Sequence, residues 1–207
     1  MFSLRSKSSH SGFTLIELLV VIAILATLIG LGAVGISKTM KGADETRRNA
    51  FAKTVESALM AYKNETGSYP LAADNDADKN GQIHYGSVSN NNADKPNAKV
   101  LLTLFGRNES GRREATKRAY ITDSSDLYVY KGKRIRKLDE AFQSGGVSAD
   151  DMIGFKIMMG KTTSTKYKKM SGSHAFSPIK ISFDLELDSY SVSVPSDGQF
   201  NQVIQLN

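Results

Sequence analysis

Ser11-Gly12-Phe13-Thr14-Leu15-Ile16-Glu17-Leu18-Leu19-Val20-Val21-Ile22-Ala23-Ile24-Leu25 opens an apolar run that continues to Ile36. Between Phe13 and Ile36 the only polar side chains are Thr14, Glu17 and Thr27, and no charge occurs from Leu18 to Ser37. About 24 residues at ~1.5 Å each give roughly 36 Å of helix, enough for the ~30 Å hydrocarbon core of a bilayer. The run therefore predicts a membrane-spanning helix. A carboxylate inside such a segment is costly and marks a functional position by default, so Glu17 is the residue to explain.

Ahead of the run, Arg5 and Lys7 resemble the basic start of a secretory signal peptide. In such a peptide the apolar part is about 7 to 15 residues and closes on a small-x-small cleavage site. This run is longer, which favours processing on its cytoplasmic side, at Gly12/Phe13, so that the apolar segment stays with the mature chain. Lys38 and Lys41 flank the other end, so charge alone does not set the orientation.

The stretch Gly12 to Leu25 closely resembles the class III signal of type IV prepilins and type II secretion pseudopilins. The resemblance implies cleavage after Gly12 by a prepilin peptidase and N-methylation of the new terminal Phe13. It also implies that Glu17 aligns each subunit with its neighbour during assembly. It further implies a single pass through the bacterial inner membrane, with the N-terminus cytoplasmic and the globular part periplasmic. Many relatives carry a proline within the helix, whereas this chain has none before Pro70.

Elementary electrostatics agrees with that role. Cutting before Phe13 creates a cationic α-amine about one helical turn from Glu17. A buried charge without a partner costs several kcal/mol. The Glu17 of one subunit meeting the Phe13 amine of another would satisfy both. The alternative is that Glu17 snorkels to the membrane interface.

Helical periodicity continues past Ser37, with Ala43, Phe51, Val55, Ala58, Leu59 and Tyr62 on one side and Asp44, Glu45, Arg47, Arg48, Lys53, Glu56 and Lys63 on the rest. Such a change from uniform to one-sided hydrophobicity fits a helix half in lipid and half packed on a domain. Gly67 and Pro70 end it. Gly30, Gly32 and Gly35 weaken the helix near the membrane exit or let neighbouring helices approach. The phrase Tyr62-Lys63-Asn64-Glu65-Thr66-Gly67-Ser68-Tyr69-Pro70 resembles the helix end of the G-type, or major, pseudopilins. The expected segments are thus a leader at 1–12, an assembly helix at 13–37, its amphipathic continuation at 38–66 and a globular α+β domain with a small antiparallel sheet at 67–207.

Within that domain, Asp76, Asp78 and Asn80 alternate ahead of Gly81 as in the first half of an EF-hand calcium loop, but Ser87 stands where a bidentate Glu is required. These three are candidate calcium ligands, and a polar turn is the competing reading. Pro96 to Phe105 reads as a short amphipathic helix. Leu127–Tyr130 and Arg134–Leu138 suggest a hairpin whose basic run is Lys131, Lys133, Arg134, Arg136 and Lys137. This face could meet anionic lipid, DNA or another subunit; with no stacking aromatics, nucleic acid is disfavoured. The strongest strand pattern alternates Ile179, Ile181, Phe183, Leu185 and Leu187, then Tyr190, Val192 and Val194. With Asp188-Ser189 as the loop, Leu187 would face Tyr190, Leu185 Val192 and Phe183 Val194, on one face packed against the helix. Between Ala141 and Ser177 periodicity is weak, with a short strand or helix near Met152–Met159.

The chain has no Cys, three His and a formal charge of +6. This composition excludes a disulfide framework or thiolate site, and mild basicity is not by itself a nucleic-acid signature. No nucleophile elbow, phosphate loop or paired-ligand helix points to an enzyme. The sequence reading is a structural subunit of a secretion pseudopilus, with a surface pilin or a signal-anchored protein that never polymerises as alternatives. Expected partners are identical and minor pilin-like subunits, the prepilin peptidase and methylase, an inner-membrane assembly platform and membrane lipid.

Overall fold

The computed structural model describes residues 13–70, 81–86, 96–131, 134–158, 174–195 and 204–205, with the backbone alone at 30–41, 158, 174 and 204–205. The leader and the candidate calcium ligands Asp76, Asp78 and Asn80 lie outside the described residues. Two compact units are present, Met1–Asp44 and Glu45–Asn207, and the helix α1, Leu15–Thr66, contributes to both.

In the first unit every large apolar side chain described, from Phe13 to Ile29, is exposed, between 45% at Val21 and 81% at Leu15. Among the described residues nothing else covers them. The structure does not itself show the expected membrane-spanning first half: among the described residues, no helix is long and apolar enough to cross a membrane.

In the second unit α1 lays a stripe on the core. Ala52, Val55, Ala58 and Leu59 are buried, with Phe51 and Tyr62 half-buried beside them. Two expectations are corrected. Ala43 is exposed, and Arg48, assigned to the solvent side, is 5% exposed. The reason is helical spacing: Arg48 precedes Ala52, Val55 and Leu59 at intervals of four, seven and eleven, on the same face. The helix ends as expected, with Gly67 at φ +79° and its N–H donating to the Lys63 carbonyl at 2.7 Å.

The remaining elements are β1 (Gln82–Tyr85), α2 (Ala98–Leu104), β2 (Tyr128–Lys131), β3 (Arg134–Lys137), α3 (Leu138–Ser144), β4 (Met152–Met158), β5 (His174–Pro178), β6 (Lys180–Asp184), β7 (Ser189–Ser193) and β8 (Ile204–Gln205). They form two antiparallel sheets, β1-β6-β7 and β3-β2-β4-β5-β8. The α+β reading holds, while the single small sheet becomes two. The short helix expected at Pro96–Phe105 is α2, and the basic hairpin is β2–β3, pairing Lys131 with Arg134.

Between β5 and β6 the chain passes from one sheet to the other at Ile179, and a buried asparagine holds that crossing. Asn97 accepts the Ile153 N–H at 2.7 Å on Oδ1, and its Nδ2 donates to the carbonyls of Ile153 at 2.7 Å and Ile179 at 2.6 Å. It is fully buried, so those backbone groups have no water to turn to. The approach is close enough that a Cβ on Gly86, at φ +72°, would collide with the Ile179 carbonyl.

The terminal hairpin keeps the expected face but not the expected register. Phe183 pairs with Tyr190 and Ile181 with Val192, so the loop is Leu185–Asp188 rather than Asp188-Ser189. Leu185 and Leu187, expected on the core face, are 45% and 76% exposed. Local chemistry decides it: Asp184 Oδ1 accepts the N–H groups of Glu186 and Leu187 at 3.1 and 2.9 Å, and Asp188 adopts φ +49°. Side-chain capping of this kind makes a turn out of residues whose alternation alone reads as strand. A shift of four preserves the parity, so the core face is unchanged.

This hairpin packs on the second half of α1, as expected. Tyr190 donates to the Glu56 carbonyl at 3.1 Å, and Lys63 Nζ reaches Asp188 Oδ1 at 2.5 Å. Tyr69 packs against Phe183 at a tilt and against Tyr190 edge-on, and donates to the Asp188 carbonyl at 3.1 Å.

Candidate functional site

The first turn of α1 is built by its own side chains. Thr14 immediately precedes the helix, where four backbone N–H groups lack carbonyl partners. Its hydroxyl oxygen accepts the Glu17 N–H at 3.3 Å, while Glu17 Oε2 accepts the Thr14 N–H at 2.8 Å and the Thr14 hydroxyl at 2.8 Å. The reciprocal pattern is a capping box, Thr-x-x-Glu, with Glu17 at the third helical position. A carboxylate there also faces the positive end of the helix dipole. Further along, the Thr27 hydroxyl donates to the Ile24 carbonyl at 2.7 Å. All three polar side chains of the apolar run therefore find partners inside the helix.

Both intrachain bonds to the Glu17 carboxylate end on Oε2. A carboxylate offers about four lone-pair sites. Among the described residues Oε1 has no partner, so it can take a cation from outside the chain while the cap stays closed.

Residues 7–33 match the prokaryotic N-terminal methylation motif. The methylation motif supports membership of the type IV prepilin-like superfamily and implies a pilin-like protein processed by prepilin peptidase. It spans Gly12, Phe13, Thr14 and Glu17 together, so the capping box lies inside it. No curated protein and no solved structure matches the chain.

Of the positions singled out from sequence, Phe13 is 79% exposed immediately before Thr14, and Glu17 is exposed with it. Gly12, Asp76, Asp78, Asn80 and Lys133 lie outside the described residues. Among the described residues no group of three or more His, Cys, Asp or Glu could hold a metal ion. Lys131, Arg134 and Arg136 are exposed around β2–β3, with Lys131 3.4 Å from the buried Asp151 carboxylate. Thr14 is the participant that periodicity does not single out. Its mark was in the sequence, a Thr followed three residues later by Glu at the head of an apolar run.

Proposed function

We propose that this chain is a non-catalytic structural subunit of a type II secretion pseudopilus, cleaved between Gly12 and Phe13, methylated on Phe13 and polymerised through α1. The observation that carries the reading is the Glu17 carboxylate at the first turn of an uncovered apolar helix, held by Thr14 through one oxygen and open on the other. A neighbour's Phe13 amine is the cation that cleavage supplies, and a methylated amine remains protonated and able to donate. Before assembly the apolar side chains of the 13–36 run sit in the inner membrane, and in the fibre they sit against other copies of the same run. Exposed apolar surface of this extent has to be covered by lipid or protein.

Support for the secretion branch comes from the helix end. Tyr69 and Pro70 follow Gly67 as in the G-type pseudopilins, and Tyr69 serves there as the contact joining α1 to the β6–β7 turn.

The test is a deletion strain assayed for both secreted protein and surface fibres, complemented by the native chain or by Glu17→Ala. Secretion lost in the deletion and restored only by the native chain, with Glu17→Ala still inserted in the membrane, is the expected result. Lost fibres with secretion intact would make it a surface pilin. Full complementation by Glu17→Ala would overturn polymerisation through this carboxylate, leaving a signal-anchored protein. Mass spectrometry of the mature chain checks the cut, since a retained 1–12 leader contradicts both fibre readings.

A further inference from the structure

At the open edge of the five-stranded sheet, a groove of about 310 Å³ is lined by Val129, Lys131, Arg134, Arg136 and Gly146. Lys131 and Arg134 pair across β2–β3, as do Val129 and Arg136, so all four side chains leave the same face of the sheet. Of the three cations only Lys131 reaches a carboxylate, that of Asp151, which is 5% exposed and also accepts the Ser148 N–H at 2.7 Å. Neither Arg134 nor Arg136 has an acidic partner among the described residues. Planar guanidinium groups are suited to two-pronged recognition of a carboxylate. The groove is at the small end of ligand-pocket volumes, a size for one or two side chains rather than a large molecule.

The complementary shape occurs elsewhere in the same unit. Outside the apolar run of α1, the exposed large apolar residues among those described are Met60, Leu185 and Leu187, and two of the three lie in the β6–β7 turn. Between them stands Glu186, exposed and without a basic partner among the described residues. The turn is held in shape before any contact, by Asp184 capping two of its N–H groups and by Lys63 on Asp188. Preorganisation of this kind lowers the entropy lost on binding.

We propose that the Leu185–Asp188 turn of one copy docks at the basic β3 edge of the next copy, with the Glu186 carboxylate received by Arg134 and Arg136. The inference rests on the polymerisation reading and adds to it a contact between globular units. Donor and acceptor are different surfaces of one chain, so the contact is head-to-tail and propagates into an open assembly instead of closing a dimer.

The chain has no native cysteine, which permits a direct test. Full-length Arg136→Cys and Leu187→Cys chains are co-expressed in the host and oxidised in intact membranes, beside an Arg136→Cys and Asn49→Cys control. A covalent dimer in the first pairing and not in the control is expected. Its loss in chains also carrying Arg134→Glu, with recovery when Glu186→Arg is added to the partner chain, would tie it to the charge match. Assembled fibres without the dimer would overturn this contact and leave the proposed function standing. The dimer without fibres would support the contact and overturn polymerisation into a pseudopilus. Should Arg134→Glu with Arg136→Glu leave fibres unchanged but abolish a preference of the inserted chain for phosphatidylglycerol over phosphatidylcholine vesicles, the groove serves lipid and the docking proposal falls.

Discussion

Thr14 and Glu17 hold each other at the first turn of α1, the threonine N–H and hydroxyl both 2.8 Å from one carboxylate oxygen. The carboxylate that looks anomalous in an apolar run is a helix cap, and in the proposed fibre it is an assembly residue as well. Under that proposal its two oxygens divide the tasks.

Replacing Thr14 separates those tasks. Thr14→Ala removes an N-cap worth ~1 kcal/mol, while Thr14→Ser keeps the hydroxyl. Amide hydrogen exchange over residues 15–18 of the membrane-embedded chain should speed up roughly five-fold in Thr14→Ala and stay near native in Thr14→Ser. Unchanged exchange in Thr14→Ala would show that the cap does not close in the membrane.

Tyr69 should matter through its ring more than its hydroxyl. Tyr69→Phe loses the bond to the Asp188 carbonyl and the one from Lys63, at a net cost of about 1 kcal/mol. Tyr69→Ala also gives up the contacts with Phe183 and Tyr190 and should cost ~3 kcal/mol. Urea unfolding of the two variants gives the ratio, and equal losses would refute the packing account.

Asn97 is the substitution with the largest expected penalty. Asn97→Ala strands a buried Ile153 N–H and the Ile179 carbonyl, and a loss of about 3 kcal/mol follows. Asn97→Asp should be no better, because a carboxylate cannot donate to the two carbonyls that Nδ2 serves. Denaturation midpoints within experimental error of native in either variant would show that the two sheets do not depend on this crossing.

Stability should decline in alkali. Asp188, with Tyr69 beside it, raises the Lys63 pKa above its ordinary 10.5, and desolvation raises those of Tyr120 and Tyr190 above 10.0. A group whose folded pKa is raised holds its proton more tightly when folded. Its contribution is full below the unfolded value and is lost as pH rises through the folded one. Thermal midpoints should thus fall above about pH 10. The gap between native and Asp188→Asn should narrow over the same range as Lys63 loses its charge, and a gap that widens would reverse the assignment.

Much of this could be read in the chain because it follows from short-range pattern. The one-sided stripe at Val55, Ala58, Leu59 and Tyr62, the Gly67 stop and the pairing of β2 with β3 all depend on residues within a few turns or a tight loop. Arg48 shows the limit, since charge assigned it to solvent while its place on the stripe buried it. The terminal hairpin shows another. Alternation fixed which face turns inward, but Asp184 capping the loop fixed where the strands cross over.

From sequence alone came the N-terminal segment: the run from Phe13, the Gly12/Phe13 junction and Glu17 are local features that need no distant partner, and so is the Thr-x-x-Glu cap, although the structure was needed to reveal it. Tertiary structure alone decided the two-sheet division, the Asn97 crossing, the Lys63–Tyr69–Asp188 joint and the basic groove at β3. Each of those joins residues far apart in the chain, and such contacts are chosen by burial and hydrogen-bond satisfaction in the folded core, which no local spacing encodes.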